Sequence, residues 1–139
     1  MSELRRRFVR ELELRNRSPQ TIKNYLRILH DLTHYAQKSP LELTQEELAD
    51  YLHHNFIVKK HAPATVNQQI GCLRFFYKTM CPGSAFMQHI KSMKVPKKIP
   101  PVLSVQQVRA MLHVTRNLKH RAIIEIFYCS GLRLQELLD

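Results

Sequence analysis

The chain has 139 residues, 44% apolar and 24% charged, a globular balance that excludes a disordered polypeptide. With 3 glycines it is a poor candidate for a turn-rich all-β fold or a glycine-rich phosphate loop. Its 22 Lys+Arg against 11 Asp+Glu give a net charge of +11, so the first partner to consider is a polyanion.

In chain order the periodicity is helical nearly throughout. A first helix is expected over about residues 3–15, with Leu4, Phe8 and Leu12 on one face and Asn16-Arg17 ending it. Ser18-Pro19 reads as an N-cap followed by proline at the first helical position. The second helix then runs to about Gln37 on a stripe of Ile22, Tyr25, Leu26, Leu29, Leu32 and Ala36. Thr44 precedes Glu47 by three residues, a capping box, and Leu43 and Leu48 flank it as a hydrophobic staple. A third helix carries Leu48, Tyr51, Leu52 and Phe56 until Lys59-Lys60-His61-Ala62-Pro63 breaks it. A fourth, about 64–80, shows Val66, Ile70, Leu73, Tyr77 and Met80, and a short helix is expected to follow.

The stretch Lys91-Ser-Met-Lys-Val-Pro-Lys-Lys98 carries four lysines and no acid and runs into Pro100-Pro101, which favours extended backbone. The expected organisation is an all-α domain over 1–92, a basic linker over 93–103 and a second helical piece over 104–139. The basic excess sits early: residues 1–103 hold 17 Lys+Arg and 8 Asp+Glu, a net +9, against +2 from 5 and 3 in residues 104–139. After the linker, Ser104 and Gln107 form a second capping box, and Val105, Val108, Met111 and Leu112 mark a fifth helix. The sixth, about 118–129, carries Leu118, Ala122, Ile123, Ile126 and Phe127, with Gly131 at its C′ position. A seventh starts near Leu134, five residues before the sequence stops at Asp139. The sequence therefore predicts a truncated second domain whose apolar faces lack their usual cover, so that residues 104–139 fray, pack on another copy or fold back on the N-terminal domain.

Several chemistries are not expected. No apolar run approaches the ~20 residues that cross a bilayer. The opening MSELRRRFVRELELR lacks the apolar core of a secretory signal. Cys72, Cys81 and Cys129 are odd in number and far apart, which suits free thiols in a reducing compartment. There are 8 histidines, with His30 and His34 at i, i+4 and His53-His54 adjacent, but no Cys-x-x-Cys or His-Glu-x-x-His, so no metal site is expected.

From Ile99 onward the sequence becomes specific. Leu103-Ser104 opens a helix, Asn117-Leu-Lys-His-Arg-Ala122 follows, and Phe127-Tyr-Cys-Ser precedes Gly131-Leu132-Arg133-Leu134-Gln135-Glu136-Leu137. This order resembles the opening of the catalytic domain of tyrosine recombinases, the phage-integrase family, in its Xer-like and integron-integrase branch. The upstream helix openings Ser18-Pro-Gln-Thr-Ile-Lys-Asn-Tyr25 and Ala64-Thr-Val-Asn-Gln-Gln69 suit the family's N-terminal core-binding domain. At Cys129-Ser130 the family more often has a small residue and Thr or Ala. The resemblance implies a four- to five-helix SAM-like bundle, then the first helices of a catalytic domain. It implies that Arg133 is the family's first catalytic arginine, whose planar fork of donors suits a phosphate in its transition state. The bare residues equally allow Arg133 to pair with Glu136 or cap a helix.

The family's other catalytic groups lie downstream of this block, including the tyrosine that forms a 3′-phosphotyrosyl link. Tyr25, Tyr35, Tyr51, Tyr77 and Tyr128 all lie upstream, and four fit helical apolar patterns. The expectation is a chain that binds double-stranded DNA, alongside other recombinase protomers, without cutting or joining it. It would need no cofactor and would work in the cytoplasm. Candidate DNA contacts cluster at helix starts, where backbone donors favour phosphate. They are Ser18, Thr21, Lys23, Asn24 and Arg27 at the second helix, and Lys60, Thr65, Asn67, Gln68 and Arg74 at the fourth. Lys94, Lys97 and Lys98 are expected to follow the duplex backbone, while Arg5, Arg6 and Arg7 read equally as a solubilising face. The alternatives are a non-enzymatic DNA-binding regulator and a helical protein-interaction module.

Overall fold

A computed structural model of the chain describes residues 3–83, 87, 89–96 and 100–138, and every regular element among them is helical. The helices are α1 (Glu3–Leu14), α2 (Pro19–Ala36), α3 (Gln45–Ile57), α4 (Pro63–Met80), α5 (Val105–Val114), α6 (Leu118–Ser130) and α7 (Leu134–Leu138). A single 3₁₀ turn, Pro40–Glu42, connects α2 to α3. The short helix expected after α4 falls on a stretch in which 84–86 and 88 lie outside the described residues.

The helix ends follow from local chemistry. Asn16 adopts a left-handed φ of 51° after α1, and Arg17 N–H reaches back to Leu12 O at 3.0 Å, which closes the last turn. Ser18 Oγ accepts the Thr21 amide at 3.2 Å at the start of α2. Both capping boxes form. Thr44 Oγ1 accepts from the Glu47 amide at 3.2 Å while Glu47 accepts from the Thr44 amide at 2.8 Å. Ser104 and Gln107 repeat the exchange at 3.2 and 2.8 Å. Gly131, at φ 64°, ends α6 in the left-handed conformation that a side chain would strain.

The chain divides into two units, Met1–Pro96 and Lys97–Asp139. In the first, α4 packs against each of α1, α2 and α3. It can do so because apolar residues surround much of it: Val66, Ile70, Leu73, Phe76 and Tyr77 are buried. Phe8 and Leu12 of α1, Leu32 of α2, and Leu48 and Tyr51 of α3 close the core. Complete burial of such a side chain is worth about 1.5–3 kcal/mol. Phe8 meets Phe76 edge-on at 5.1 Å, and Phe76 meets Tyr77 at 5.3 Å.

In the second unit α5 and α6 pack together, and among the described residues only Val108 is buried. Val102 (91%) and Leu118 (82%) are almost fully exposed, and Val114, Tyr128 and Leu134 are also exposed.

Candidate nucleic-acid interface

On α2 the residues at i and i+4, Lys23 and Arg27, share an exposed stripe, and His30 continues it one turn on. Neither Lys23 nor Arg27 forms an ion pair with a described carboxylate. Arg5 of α1 lines the same surface cavity as Lys23 and Arg27, so three cations from two helices meet there. The grouping with Arg5 is invisible in the linear sequence, where it reads only as part of a basic run.

At the head of α2, Ser18 and Thr21 bond to each other through their hydroxyls at 2.9 Å, and Gln20 donates to Asn24 Oδ1 at 3.3 Å. These are exposed contacts that a phosphate oxygen or water can replace.

The head of α4 is built differently. Its N-cap, Ala62, has no side chain to accept an amide, and Pro63 removes one donor at the first position. Lys60, Thr65 and Gln68 are exposed around it, and Lys60 is held in the left-handed region at φ 53°. The loop that presents Lys60 is anchored from beneath. His61 N–H donates to Asn55 O at 3.0 Å, Gln69 Nε2 lies 3.4 Å from His61 Nδ1, and Asn55 Nδ2 donates to Gln69 Oε1 at 3.2 Å. Asn55 and Gln69 are both buried, and Asn55 Oδ1 has no hydrogen-bond partner among the described residues. A buried amide pair of this kind specifies one loop geometry because leaving it unmade is costly. In the linear sequence Gln69 is one more polar residue of a helix opening, and no local pattern links it to Asn55.

Two of the expected DNA contacts also have partners within the chain. The Asn67 amide is engaged at both ends by one backbone, donating to Met93 O at 2.9 Å and accepting from Met93 N–H at 2.7 Å. Arg74 donates to Ile90 O at 2.5 Å and to Ser92 Oγ at 3.5 Å. Both side chains therefore fasten residues 90–93 to α4, and Ile90 and Met93 pack against the core. Lys94 stands exposed just beyond this clamp. Lys97 and Lys98 lie outside the described residues.

Arg133 follows the left-handed Gly131 and precedes α7. Its backbone N–H donates to Glu136 Oε2 at 2.7 Å, and its guanidinium reaches Glu136 Oε1 at 3.3 Å. The Arg133 side chain is 87% exposed, so the pair is weakly held and open to replacement by a stronger anion. Of the five tyrosines, only Tyr128 shares a unit with Arg133. Burial pushes the Tyr51 and Tyr77 phenols above their ordinary range, and Tyr77 donates to Pro40 O at 2.5 Å. Burial pushes the Cys72 thiol up to about 12. Among the described residues no three His, Cys, Asp or Glu side chains are grouped to hold a metal ion, and no helix is long and apolar enough to cross a membrane.

A helical bundle with exposed, unpaired cations on α2 and at the head of α4 defines a domain suited to an extended anion. Residues 4–82 match the family model described as phage integrase, N-terminal SAM-like domain. The chain belongs to that family of phage integrases and tyrosine recombinases. It is 34% identical over 134 residues to tyrosine recombinase XerC of Myxococcus xanthus, covering 86% of this chain and 44% of that protein. To tyrosine recombinase XerC of Syntrophus aciditrophicus it is 30% identical over 157 residues, covering 99% and 51%. A crystal structure of XerA recombinase has the same fold at a TM-score of 0.56 and 21% identity, over 98% of this chain and 48% of that one. The chain thus spans about half the length of these relatives.

Proposed function

We propose that this chain binds double-stranded DNA within site-specific recombination or integration, and that alone it neither cleaves nor joins strands. The observation that carries this reading is the group of unpaired cations, Lys23 and Arg27 beside Arg5, on a bundle of the phage-integrase family. Lys60, at the uncapped head of α4, adds a second cationic point, and Lys94 a third where the chain leaves the bundle. Phosphate contacts of this kind bring affinity without reading sequence. Thr65, Gln68 and Asn24 are the polar groups left to meet base edges.

Arg133 is the residue that would address the scissile phosphate, exchanging Glu136 for it. A phenol needs activation to act as a nucleophile, and Tyr51 and Tyr77 are buried with their protons held more tightly, which makes these two poor nucleophiles. The exposed apolar side chains of α5–α7 favour contact with further recombinase protein, including other protomers assembled on DNA. Such work on chromosomal or element DNA places the chain in the cytoplasm.

Fluorescence anisotropy with a labelled duplex tests the reading. The expected result is a log affinity that falls linearly with log salt, with Lys23→Ala and Arg27→Ala each reducing the slope by about one. Affinity that is flat across the salt range overturns it. A covalent adduct on a suicide duplex substrate overturns the claim that the chain leaves strands intact.

A further inference from the structure

We propose that Gln69 is a positioning residue for DNA: acting through His61, with Asn55 behind it, it holds Lys60 in the conformation that meets the duplex backbone. This rests on the DNA reading above and extends it from surface cations to a buried side chain that touches no DNA itself.

Among the described residues only Asn16, Gln37 and Lys60 combine a side chain with a positive φ, and of these only Lys60 is charged. A left-handed backbone is unfavourable for a residue with a Cβ unless its surroundings impose it. Both neighbours of Lys60 are pinned. Lys59 N–H donates to His54 O at 3.1 Å, and His61 N–H donates to Asn55 O at 3.0 Å. Those are backbone bonds that most residue types can make. The ring of His61 adds a hold that depends on sequence, because its Nδ1 lies 3.4 Å from Gln69 Nε2. Gln69 Oε1 is taken by Asn55 Nδ2 at 3.2 Å, so Gln69 Nε2 is the donor and the neutral imidazole accepts.

Asn55 thus grips the loop twice, directly by its carbonyl and through Gln69 by its amide. Gln69 is 6% exposed and Asn55 1%, so water does not compete for these bonds. The Lys60 φ sets the direction of its Cα–Cβ bond. A loop that relaxes out of the left-handed region therefore aims the ammonium elsewhere.

Duplex anisotropy over a salt series at pH 8, where an ordinary imidazole is neutral, tests this. Gln69→Met keeps the length and loses the polar groups. It should weaken binding about two- to fivefold and lower the salt slope by about one, as Lys60→Ala does. Combined with Lys60→Ala it should cost nothing more, whereas with Lys23→Ala on α2 the losses should add. His61→Ala should match Gln69→Met. His61→Asn, whose Oδ1 stands as many bonds from Cα as Nδ1 does, should keep wild-type affinity. Cross-correlated relaxation in the free protein reads the Lys60 φ, which should leave the left-handed region in Gln69→Met and His61→Ala and stay there in His61→Asn. If Gln69→Met does not fold, His61→Ala, at a half-buried position, decides alone. Full additivity with Lys60→Ala, an unchanged slope, or a Lys60 φ unmoved in His61→Ala each overturns the proposal and leaves the DNA reading standing. A wild-type chain that ignores duplex removes the DNA reading, and the positioning role with it.

Discussion

Asn67 shows how one side chain can answer a question its sequence leaves open. As a polar residue in the first turns of α4, it has the chemistry to read an adenine edge, and its amide does pair bidentately. The pairing, however, is with the backbone of Met93, 26 residues away. No local pattern announces such a contact. Asn67→Ala is expected to lower stability by about 1–2 kcal/mol through two lost hydrogen bonds. Chemical denaturation would measure that, with faster hydrogen exchange at the Met93 amide and unchanged duplex affinity. If duplex affinity falls while exchange at Met93 does not move, the clamp assignment is wrong. Thiol chemistry separates two cysteines in the same way. Cys129 is exposed and should react promptly with a disulfide reagent, whereas buried Cys72, its thiol pushed up to about 12, should react only on unfolding.

Among the elements, the helices themselves were the most legible part, because apolar spacing and caps are local. Thr44 and Ser104 were readable from three-residue spacings, and both boxes form as spelled. The 3₁₀ turn at Pro40–Glu42 was not readable, since it depends on Tyr77 of α4 reaching the Pro40 carbonyl. Thr44→Ala should cost about 1 kcal/mol of bundle stability in a denaturant titration.

The same cap gives a pH dependence with a definite sign. Glu47 has its carboxyl held below the ordinary 4.5, first by the Lys38 ammonium that donates to it, then by the Thr44 amide. A carboxyl lowered in the folded state binds more protons when unfolded. Its contribution is therefore complete above the ordinary value and fades as pH falls through the lowered one. Glu47→Gln should flatten that acid limb of the stability curve, and an unchanged limb would remove Glu47 as its source.

For the molecule as a whole, the two units differ in what they bury. The described residues of the first unit enclose Phe8, Leu32, Tyr51 and Phe76, whereas in the second unit only Val108 is buried among the described residues. Amides of α5–α7 should thus exchange with solvent faster than those of α3 and α4, as sparse burial predicts. Equal protection in a dilute monomer would contradict this. The basic character of the first unit was legible by counting charges, but the meeting of Arg5 with Lys23 and Arg27 needed the α1–α2 packing to become visible.

The fastening of residues 90–93 to α4 has a practical consequence for protease digestion. Trypsin must draw several residues of substrate into an extended form before it can cut. Lys91 sits inside the fastened stretch, flanked by Ile90, Ser92 and Met93, while Lys94 lies just outside it. Brief digestion should nick the chain after Lys94 well before Lys91, releasing a bundle fragment that still carries its own latch.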